Sequence, residues 1–421
     1  MRTQGIMRVV LVNTRHFRGG GDSTYTFNLA ELLRSRGHEV AFFAMQDRRN
    51  LPDPNDDLFV SNIDFKDLNR RKNPVTAVQV LGRSVYSREA RRKFRMLLDR
   101  FRPDVVHLQN VHAHITPSVI FEAKRWGVPV VWTLHDYKLI CPNSHFLIDA
   151  TGEICEACGS SRYFWAALKR CKKGSLLASA MACTEAYSHR LLRVRERIDA
   201  FLAPSRFLRS KLLERGFPER SVHHLPYVLP EAAFHMQATT GDYILFLGKL
   251  ERIKGIPELL GAARLASDVN LVLAGRVEEP LKSQLPAMLP PNARYVGIKH
   301  GKELRDLLAH AMAVVLPSVW YENQPFSILE AFAAGKPVIA SNLGGMAELV
   351  GDGERGLLVP PGDATALARA MEWMVTHRVE AGEMGQAAIE YVRQNHSPDA
   401  HYRQLKLLYD QLATKNVQAS M

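Results

Sequence analysis

Apolar strand-like runs alternating with helical stretches, in two successive rounds, predict an α/β protein with mostly parallel sheets covered by helices on both faces. Length supports the division. At 421 residues the chain exceeds the usual single-core size and fits two domains of about 200 residues each. A proline-containing segment without clear period, residues 226–241, separates the two rounds and reads as the interdomain linker. In the first round the predicted strands are residues 9–13, 40–44, 105–108 and 130–134, and the helices 24–36, 88–101 and 118–126. After a cysteine-containing stretch, a helical run over 176–197, a strand at 200–203 and a helix at 207–215 continue it. The second round has strands at 243–247, 271–274, 313–316, 338–340 and 357–359, each followed by a helical stretch. Each round is a Rossmann-like sheet.

Composition excludes little else. No apolar run reaches the roughly 18 residues needed to span a membrane, and no signal-peptide core precedes the strand that begins near Met7. The expected location is the cytoplasm. A formal net charge of +12 suits phosphate-bearing ligands, anionic lipid or nucleic acid, and does not by itself choose among them.

The most specific segment is Trp320-Tyr-Glu322-Asn-Gln-Pro-Phe326-Ser327-Ile-Leu-Glu330-Ala-Phe-Ala-Ala-Gly335. The run Met312-Ala-Val-Val-Leu316 reads as a buried strand that Pro317 ends, and residues 326–334 have helical periodicity with Gly335 as a C-terminal cap. Glu322 then lies in the loop at the strand's C-terminal end, and Glu330 about one turn into the helix. Ligands of open α/β sheets bind at that end, where a helix N-terminus favours an anion such as a diphosphate. A second reading makes Ser327 and Glu330 a capping box that only starts the helix.

The pattern E-x7-E, followed by Gly335-Lys-Pro-Val-Ile-Ala and Gly344-Gly345-x-x-Glu348, resembles the retaining glycosyltransferases of family 4. The resemblance covers nearly the whole chain. It includes Gly248-Lys249-Leu-Glu-Arg-Ile-Lys254-Gly255, Asn270-Leu-Val-Leu-Ala-Gly275, Leu202-Ala-Pro-Ser205, Asp104-Val-Val-His107, and the Gly19-Gly20-Gly21 loop followed by a helix. It implies the GT-B architecture of two facing Rossmann-like domains. Residues 1–228 would form an acceptor-side domain with a Cys-rich insertion, residues 241–397 a nucleotide-sugar domain, and residues 398–421 a helix returning to the N-terminal domain. By the same resemblance Glu322 lies by the donor sugar, Glu330 binds the ribose, and Lys249 and Lys254 face the diphosphate. Phe326, Ser327, Gly20 and Gly21 complete the donor-binding set, and His135, at the end of a first-round strand, joins Glu322 and Lys254 at the reacting centre.

Two departures stand out: Lys249 where the family usually has Arg, and Asn323-Gln-Pro325 in place of Gly-Phe-Gly. The first exchanges a bidentate guanidinium for a point charge. The second alters the backbone that approaches the sugar. The implied activity is transfer of a sugar from a nucleotide-sugar, with retention, to a glycan or lipid-linked acceptor in cell-surface polysaccharide or glycolipid synthesis. No D-x-D suggests a catalytic metal, so the cationic side chains are expected to take its place. A phosphorylase or epimerase on the same fold is the nearest alternative, and a basic nucleic-acid-binding protein the alternative from another class, against which the paired acids argue.

Two further features stand apart from the motif. Arg83, Arg88, Arg91, Arg92, Lys93, Arg95, Arg100 and Arg102 cluster around a helix whose apolar stripe is Tyr86, Ala90, Phe94, Leu97, Leu98 and Phe101. Such a helix either buries its stripe and solvates its charges, or lies on an anionic membrane surface, which would place the protein at the inner face. Cys141, Cys155, Cys158 and Cys171 have spacings of 13, 2 and 12 intervening residues, with Cys183 beyond. A tetrahedral thiolate set for structural zinc and a group of unliganded thiols are both open.

Overall fold

In the computed structural model, residues 5–62, 85–112, 114–235 and 241–419 are described, with side chains through 414. The chain divides into two compact units. The first holds the residues through Pro204, Arg209–Leu225 and those from Tyr402 on; the second holds Ser205–Leu208 and Pro226–His401.

The first unit is built on β1 (Arg8–Val12), β2 (Glu39–Phe43), β3 (Val105–Leu108), β4 (Val130–Thr133), β7 (Ala200–Ala203) and β8 (Val222–His224), all parallel, in the order β2-β1-β3-β4-β7-β8. Val9 to Val12, Val105, Val106, Val130 and Val131 are buried, as near-continuous apolar runs must be when helices cover both sheet faces. The covering helices include α1 (Gly21–Ser35), α2 (Arg88–Phe101) and α3 (Ser118–Arg125). Ser87 caps α2 by accepting from the Ala90 amide at 3.1 Å, and Ala90, Phe94, Leu97 and Leu98 fill the core behind it.

Between β4 and β7 lies an insertion with a two-stranded hairpin, β5 (Leu147–Ile148) and β6 (Glu153–Ile154), and helices α4 (Phe164–Leu168) and α5 (Leu176–Leu191). The helical run expected over 176–197 stops at Leu191. Arg193 turns left-handed at φ 52°, and Arg195–Arg197 forms a separate 3-10 turn. Helix α6 (Arg206–Glu214) precedes β8.

Helix α14 (Pro398–Ala419) contributes its residues from Tyr402 on to the first unit. Tyr402 and Tyr409 anchor it there, with hydroxyls 2.7 Å from His38 Nε2 and 2.6 Å from His107 Nδ1. His107 Nε2 also lies 2.7 Å from Thr133 Oγ1, so this buried histidine ties β3, β4 and α14 together.

The second unit repeats the architecture with β9 (Tyr243–Leu247), β10 (Asn270–Ala274), β11 (Ala293–Tyr295), β12 (Ala311–Leu316), β13 (Val338–Ser341) and β14 (Gly356–Val359). Its order is β11-β10-β9-β12-β13-β14, all parallel. The chain winds outward through β10 and β11, then returns to pair β12 on the other side of β9. The crevice at such a reversal, outside the carboxyl ends of the two central strands, is where open α/β sheets bind ligands.

Helices α7 (Ile256–Leu265), α8 (Leu281–Met288), α9 (Gly301–Ala309), α10 (Phe326–Ala333), α11 (Gly344–Val350), α12 (Ala364–Thr376) and α13 (Arg378–His396) complete this unit. The expected linker is not free chain over 226–235. Tyr227, Val228 and Leu229 are buried within the second unit, the Tyr227 amide donates to Gln324 Oε1 at 2.6 Å, and its ring stacks on Phe326 at 5.1 Å. Residues 231–235 form a 3-10 turn.

Candidate active site

Within the second unit, the loops after β9 and β12 leave adjacent strand ends at the reversal and are locked to each other. The Val319 amide donates to the Ile253 carbonyl at 3.0 Å. Gly255 turns left-handed at φ 71°, and a Cβ there would lie 1.9 Å from the Pro317 carbonyl oxygen, so only glycine permits this approach. The 3-10 turn Arg252–Lys254 ahead of it aims Lys254 at Glu322.

One carboxylate oxygen gathers the site. Glu322 Oε1 accepts from Lys254 Nζ, from Ser318 Oγ at 2.8 Å and from Trp320 Nε1 at 3.0 Å. The Lys254 ammonium also stands 5.4 Å from the centre of the Trp320 ring. From behind, the Gly345 amide donates to the Glu322 carbonyl at 2.8 Å, and a Cβ on Gly345 would meet the Asn323 oxygen at 1.6 Å. The Glu322 side chain is 7% exposed and that of Lys254 17%. A charge pair this buried is weak evidence for stability, since desolvation offsets its attraction. Its place at the sheet reversal makes this pair the candidate functional centre.

Asn323-Gln-Pro325, the departure from the family pattern, is structural in each member. Asn323 Oδ1 accepts from Ser205 Oγ at 2.6 Å, Gln324 receives the Tyr227 amide, and Pro325 is the N-cap of α10 without a side-chain cap. The capping box is therefore not formed: Ser327 lies inside the first turn rather than before it. The amides of Phe326 and Ser327 make no hydrogen bond among the described residues, leaving two donors at a helix start.

Glu330, one turn further, has no hydrogen bond or ion pair to its carboxyl among the described residues, and burial pushes its pKa up to about 7. Lys249 is exposed in the β9 loop and makes no side-chain hydrogen bond or ion pair among the described residues.

In the first unit the sheet order reverses between β1 and β3, and the predicted residues there follow strand ends. Gly20 and Gly21 start α1, whose Asp22 carboxylate lies 3.6 Å from Arg15 Nη1 and 3.4 Å from Asn110 Nδ2. His135, two residues past β4, donates from Nε2 to Gln109 Oε1 at 2.8 Å, with its ring edge-on to Tyr25. Burial pushes its pKa down to about 4, so it stays neutral near pH 7 and acts as a hydrogen-bonding group, not a cation. His112 stands 3.8 Å from Asp136 and is likewise pushed down by burial.

The structure thus gathers Lys254, Glu322, Phe326 and Ser327 in the second unit and Gly20, Gly21 and His135 in the first. Sequence reasoning missed Ser318, Trp320 and Gln109. Trp320 carried a signal, as a tryptophan two residues before the motif acid in a loop, whereas Ser318 and Gln109 carried none.

Two family matches divide the chain as the units do. Residues 20–227 match the glycosyl transferase 4-like domain and residues 232–394 match glycosyl transferases group 1. An uncharacterised protein of the Klebsiella pneumoniae cps region is 24% identical over 353 residues, which is 82% of this chain and 87% of that one. The D-rhamnosyltransferase WbpZ of Pseudomonas aeruginosa is 34% identical over 167 residues, 39% of this chain and 41% of WbpZ. Among solved structures, the sucrose-phosphate synthase of Thermosynechococcus elongatus matches with a TM-score of 0.70 at 18% identity, covering 97% of this chain and all (100%) of that one. HepE of Anabaena, solved in complex with UDP, matches with a TM-score of 0.64 at 15% identity, covering 96% of this chain and 100% of HepE. Fold and matches together define an enzyme of the GT-B class, a glycosyltransferase. The chain belongs to the family 4 type of these enzymes.

Proposed function

We propose that the second unit binds a nucleotide-sugar and that the enzyme transfers its sugar, with retention, to a glycan or lipid-linked acceptor in the synthesis of a cell-surface polysaccharide. The observation that carries this reading is the convergence of Lys254, Ser318 and Trp320 on one oxygen of Glu322 at the sheet reversal. Transfer breaks the bond between the anomeric carbon and the phosphate oxygen and forms one to the acceptor oxygen. In same-face attack the departing phosphate oxygen takes the acceptor's proton. Negative charge then develops on the leaving diphosphate, where the Lys254 ammonium and the free amides of α10 supply electrostatic stabilisation. A carboxylate whose one oxygen holds three donors is a poor nucleophile, so Glu322 suits orienting the donor and stabilising the cationic sugar.

The Klebsiella relative of the cps region, WbpZ, and an amylovoran biosynthesis glycosyltransferase of Erwinia amylovora support the polysaccharide reading, and the UDP complex of HepE supports a nucleotide donor. Thermal-shift screening of UDP-, GDP-, ADP- and dTDP-sugars tests it, because a ligand of the native state alone raises Tm. At least one should do so, and equal binding of nucleoside and nucleoside diphosphate would remove the diphosphate pocket.

Glu330 supplies a pH-dependent prediction. An ionised carboxylate is the better acceptor for ribose hydroxyls, so nucleotide-sugar affinity should weaken by roughly tenfold from pH 8 to pH 6, through the raised pKa of about 7. Glu330→Gln should flatten that profile. The sign for stability is opposite. A carboxyl raised from 4.5 to about 7 on folding costs stability above pH 7, by at most about 3 kcal/mol, so Glu330→Gln should melt higher at pH 8 and no higher at pH 4. A variant that melts lower at pH 8, with the affinity profile unchanged, would assign Glu330 to the scaffold.

A membrane-borne acceptor is favoured by the first unit's surface. Arg88, Arg91, Arg92 and Arg95 line, with Tyr86 and Glu122, a cavity of about 510 Å³. Arg91 is committed to Glu122 at 2.8 Å and Arg100 to Asp57 at 2.9 Å, whereas Arg88, Arg92 and Arg95 form no ion pair among the described residues. Arg83 lies outside the described residues. Exposed Leu168, Leu176, Leu177 and Leu191 on and beside α4 and α5 add apolar side chains that a surface-bound enzyme can insert. No helix among the described residues is long and apolar enough to cross a membrane. Each cation near an anionic surface contributes on the order of 1 kcal/mol, so Arg88→Ala with Arg92→Ala and Arg95→Ala should weaken sedimentation with anionic vesicles by roughly a hundredfold at low salt. Wild-type protein that ignores such vesicles would direct attention to a soluble acceptor.

A further inference from the structure

The cysteines of the insertion are free thiols. Cys158, Cys171 and Cys183 pack with Ile148, Tyr163 and Ala166, and among the described residues no group of three or more His, Cys, Asp or Glu could hold a metal ion. The charge of the first unit that still lacks a use lies on α2. Arg88, Arg91, Arg92 and Arg95 stand at i, i+3, i+4 and i+7, which sets them along one face of that helix. With Tyr86 and Glu122 they line the cavity of about 510 Å³, within the roughly 300–1,000 Å³ of small-molecule sites.

The other cations of α2 have partners. Lys93 Nζ donates to the Phe59 carbonyl at 2.5 Å and stands 3.5 Å from Glu89, and Arg100 is paired with Asp57. Arg91 is fixed by Glu122, whose side chain is only 4% exposed. The guanidinium groups of Arg88, Arg92 and Arg95 form no hydrogen bond or ion pair among the described residues, so the unpaired cations of the helix are those that face the cavity. Four guanidiniums against one carboxylate leave three positive charges there. Like charges at i and i+4, as in Arg88 with Arg92 and Arg91 with Arg95, repel each other, and an anion between them reverses the sign. A multiply charged anion fits best. Each guanidinium is a planar fork that takes two oxygens at once, and a terminal phosphoryl group offers three oxygens and up to two charges.

The cavity sits at the ligand end of the first sheet. It is bounded by the first two turns of α2 and the first of α3, and the Ser87 amide donates to Thr116 Oγ1 at 2.9 Å, which ties the two helix starts together. Helix α3 leaves the carboxyl end of β3, and Gln109 and His135 follow the carboxyl ends of β3 and β4. The arginine face and His135 therefore belong to the same end of one sheet.

We propose that this cavity is a phosphoryl-binding site, taking a phosphate ester or a diphosphate on Arg88, Arg92 and Arg95, and that it holds the phosphorylated end of the acceptor. Only the second half rests on the proposed transfer reaction. The phosphoryl chemistry stands on the arginines alone.

Calorimetric titration of the full-length protein with inorganic pyrophosphate is the test, made on Lys254→Ala so that the donor's diphosphate pocket does not contribute. One pyrophosphate should bind per chain. Adding Arg88→Lys, Arg92→Lys and Arg95→Lys should weaken that binding by roughly tenfold or more, because lysine keeps the charge and loses the fork. If Lys254→Ala does not fold, the wild type serves, and the three lysines should remove one pyrophosphate equivalent. Phosphatidylcholine vesicles carrying a long-chain polyprenyl diphosphate separate the sources: recruitment that pyrophosphate competes away makes the ligand lipid-borne, and arginine-dependent pyrophosphate binding without recruitment makes it a soluble phosphorylated acceptor. Equal pyrophosphate affinity with arginine and with lysine, or no binding by either protein, would overturn the site even where a nucleotide-sugar binds normally. Arginine-dependent pyrophosphate binding in a protein that takes no nucleotide-sugar would instead overturn the transfer reaction and leave the site standing.

Discussion

Glu322→Gln should lower kcat by roughly 10²- to 10³-fold while changing nucleotide-sugar affinity by no more than a few-fold. The substitution is isosteric and keeps an oxygen for Ser318 and Trp320, so the loop should stay in place. What it removes is the charge. A neutral amide neither holds the Lys254 ammonium in a fixed place nor stabilises positive charge that develops on the sugar as the phosphate bond breaks. Both effects are felt in the transition state more than in the ground state, which is why turnover rather than binding should respond. Glu322→Ala should be no more damaging to kcat but should lower Tm further, since it removes the oxygen on which Lys254, Ser318 and Trp320 all converge. Steady-state kinetics beside calorimetric titration of the donor separate the two quantities. A loss confined to affinity would make Glu322 a binding residue only.

Much of this architecture was legible because it rests on burial. Strands such as Val9 to Val12 and Ala313 to Leu316 are apolar on both faces, and their helices show one apolar stripe, so period and punctuation place them to within a few residues. The edge strands β8 and β11 escaped, since Val222–His224 and Ala293–Tyr295 are short and their polar residues meet solvent. The hairpin β5–β6 escaped because each of its strands is only two residues long. In the site, the family pattern pointed to Lys254 and Glu322, but not to the oxygen on which Ser318 and Trp320 converge, because a serine near a strand end has no spacing signature and a tryptophan beside the motif does not say which atom it bonds. Arg91 shows the opposite failure. On the helix it reads as one more outward cation, yet Glu122 on α3, 31 residues away, claims it.

Lys254→Ala should lower affinity for nucleoside diphosphate by roughly ten- to a hundredfold and leave affinity for the bare nucleoside unchanged, because only the diphosphate requires the cation. It should also destabilise the unliganded enzyme. With Lys254 gone, Glu322 keeps a buried charge that has lost its cation, and removal of one partner of a buried pair costs on the order of 3 kcal/mol. The two effects part in the double variant. Lys254→Ala combined with Glu322→Gln no longer buries an unanswered charge, so its Tm should recover toward that of Glu322→Gln alone, whereas diphosphate affinity should stay as weak as in Lys254→Ala. A coupling of about 0.5–3 kcal/mol in the stability cycle is the expected range for groups in direct contact. Recovery of Tm and affinity together would mean that Lys254 acts on the ligand only by holding Glu322; persistence of the affinity defect in a restored fold assigns the ammonium to the phosphates themselves.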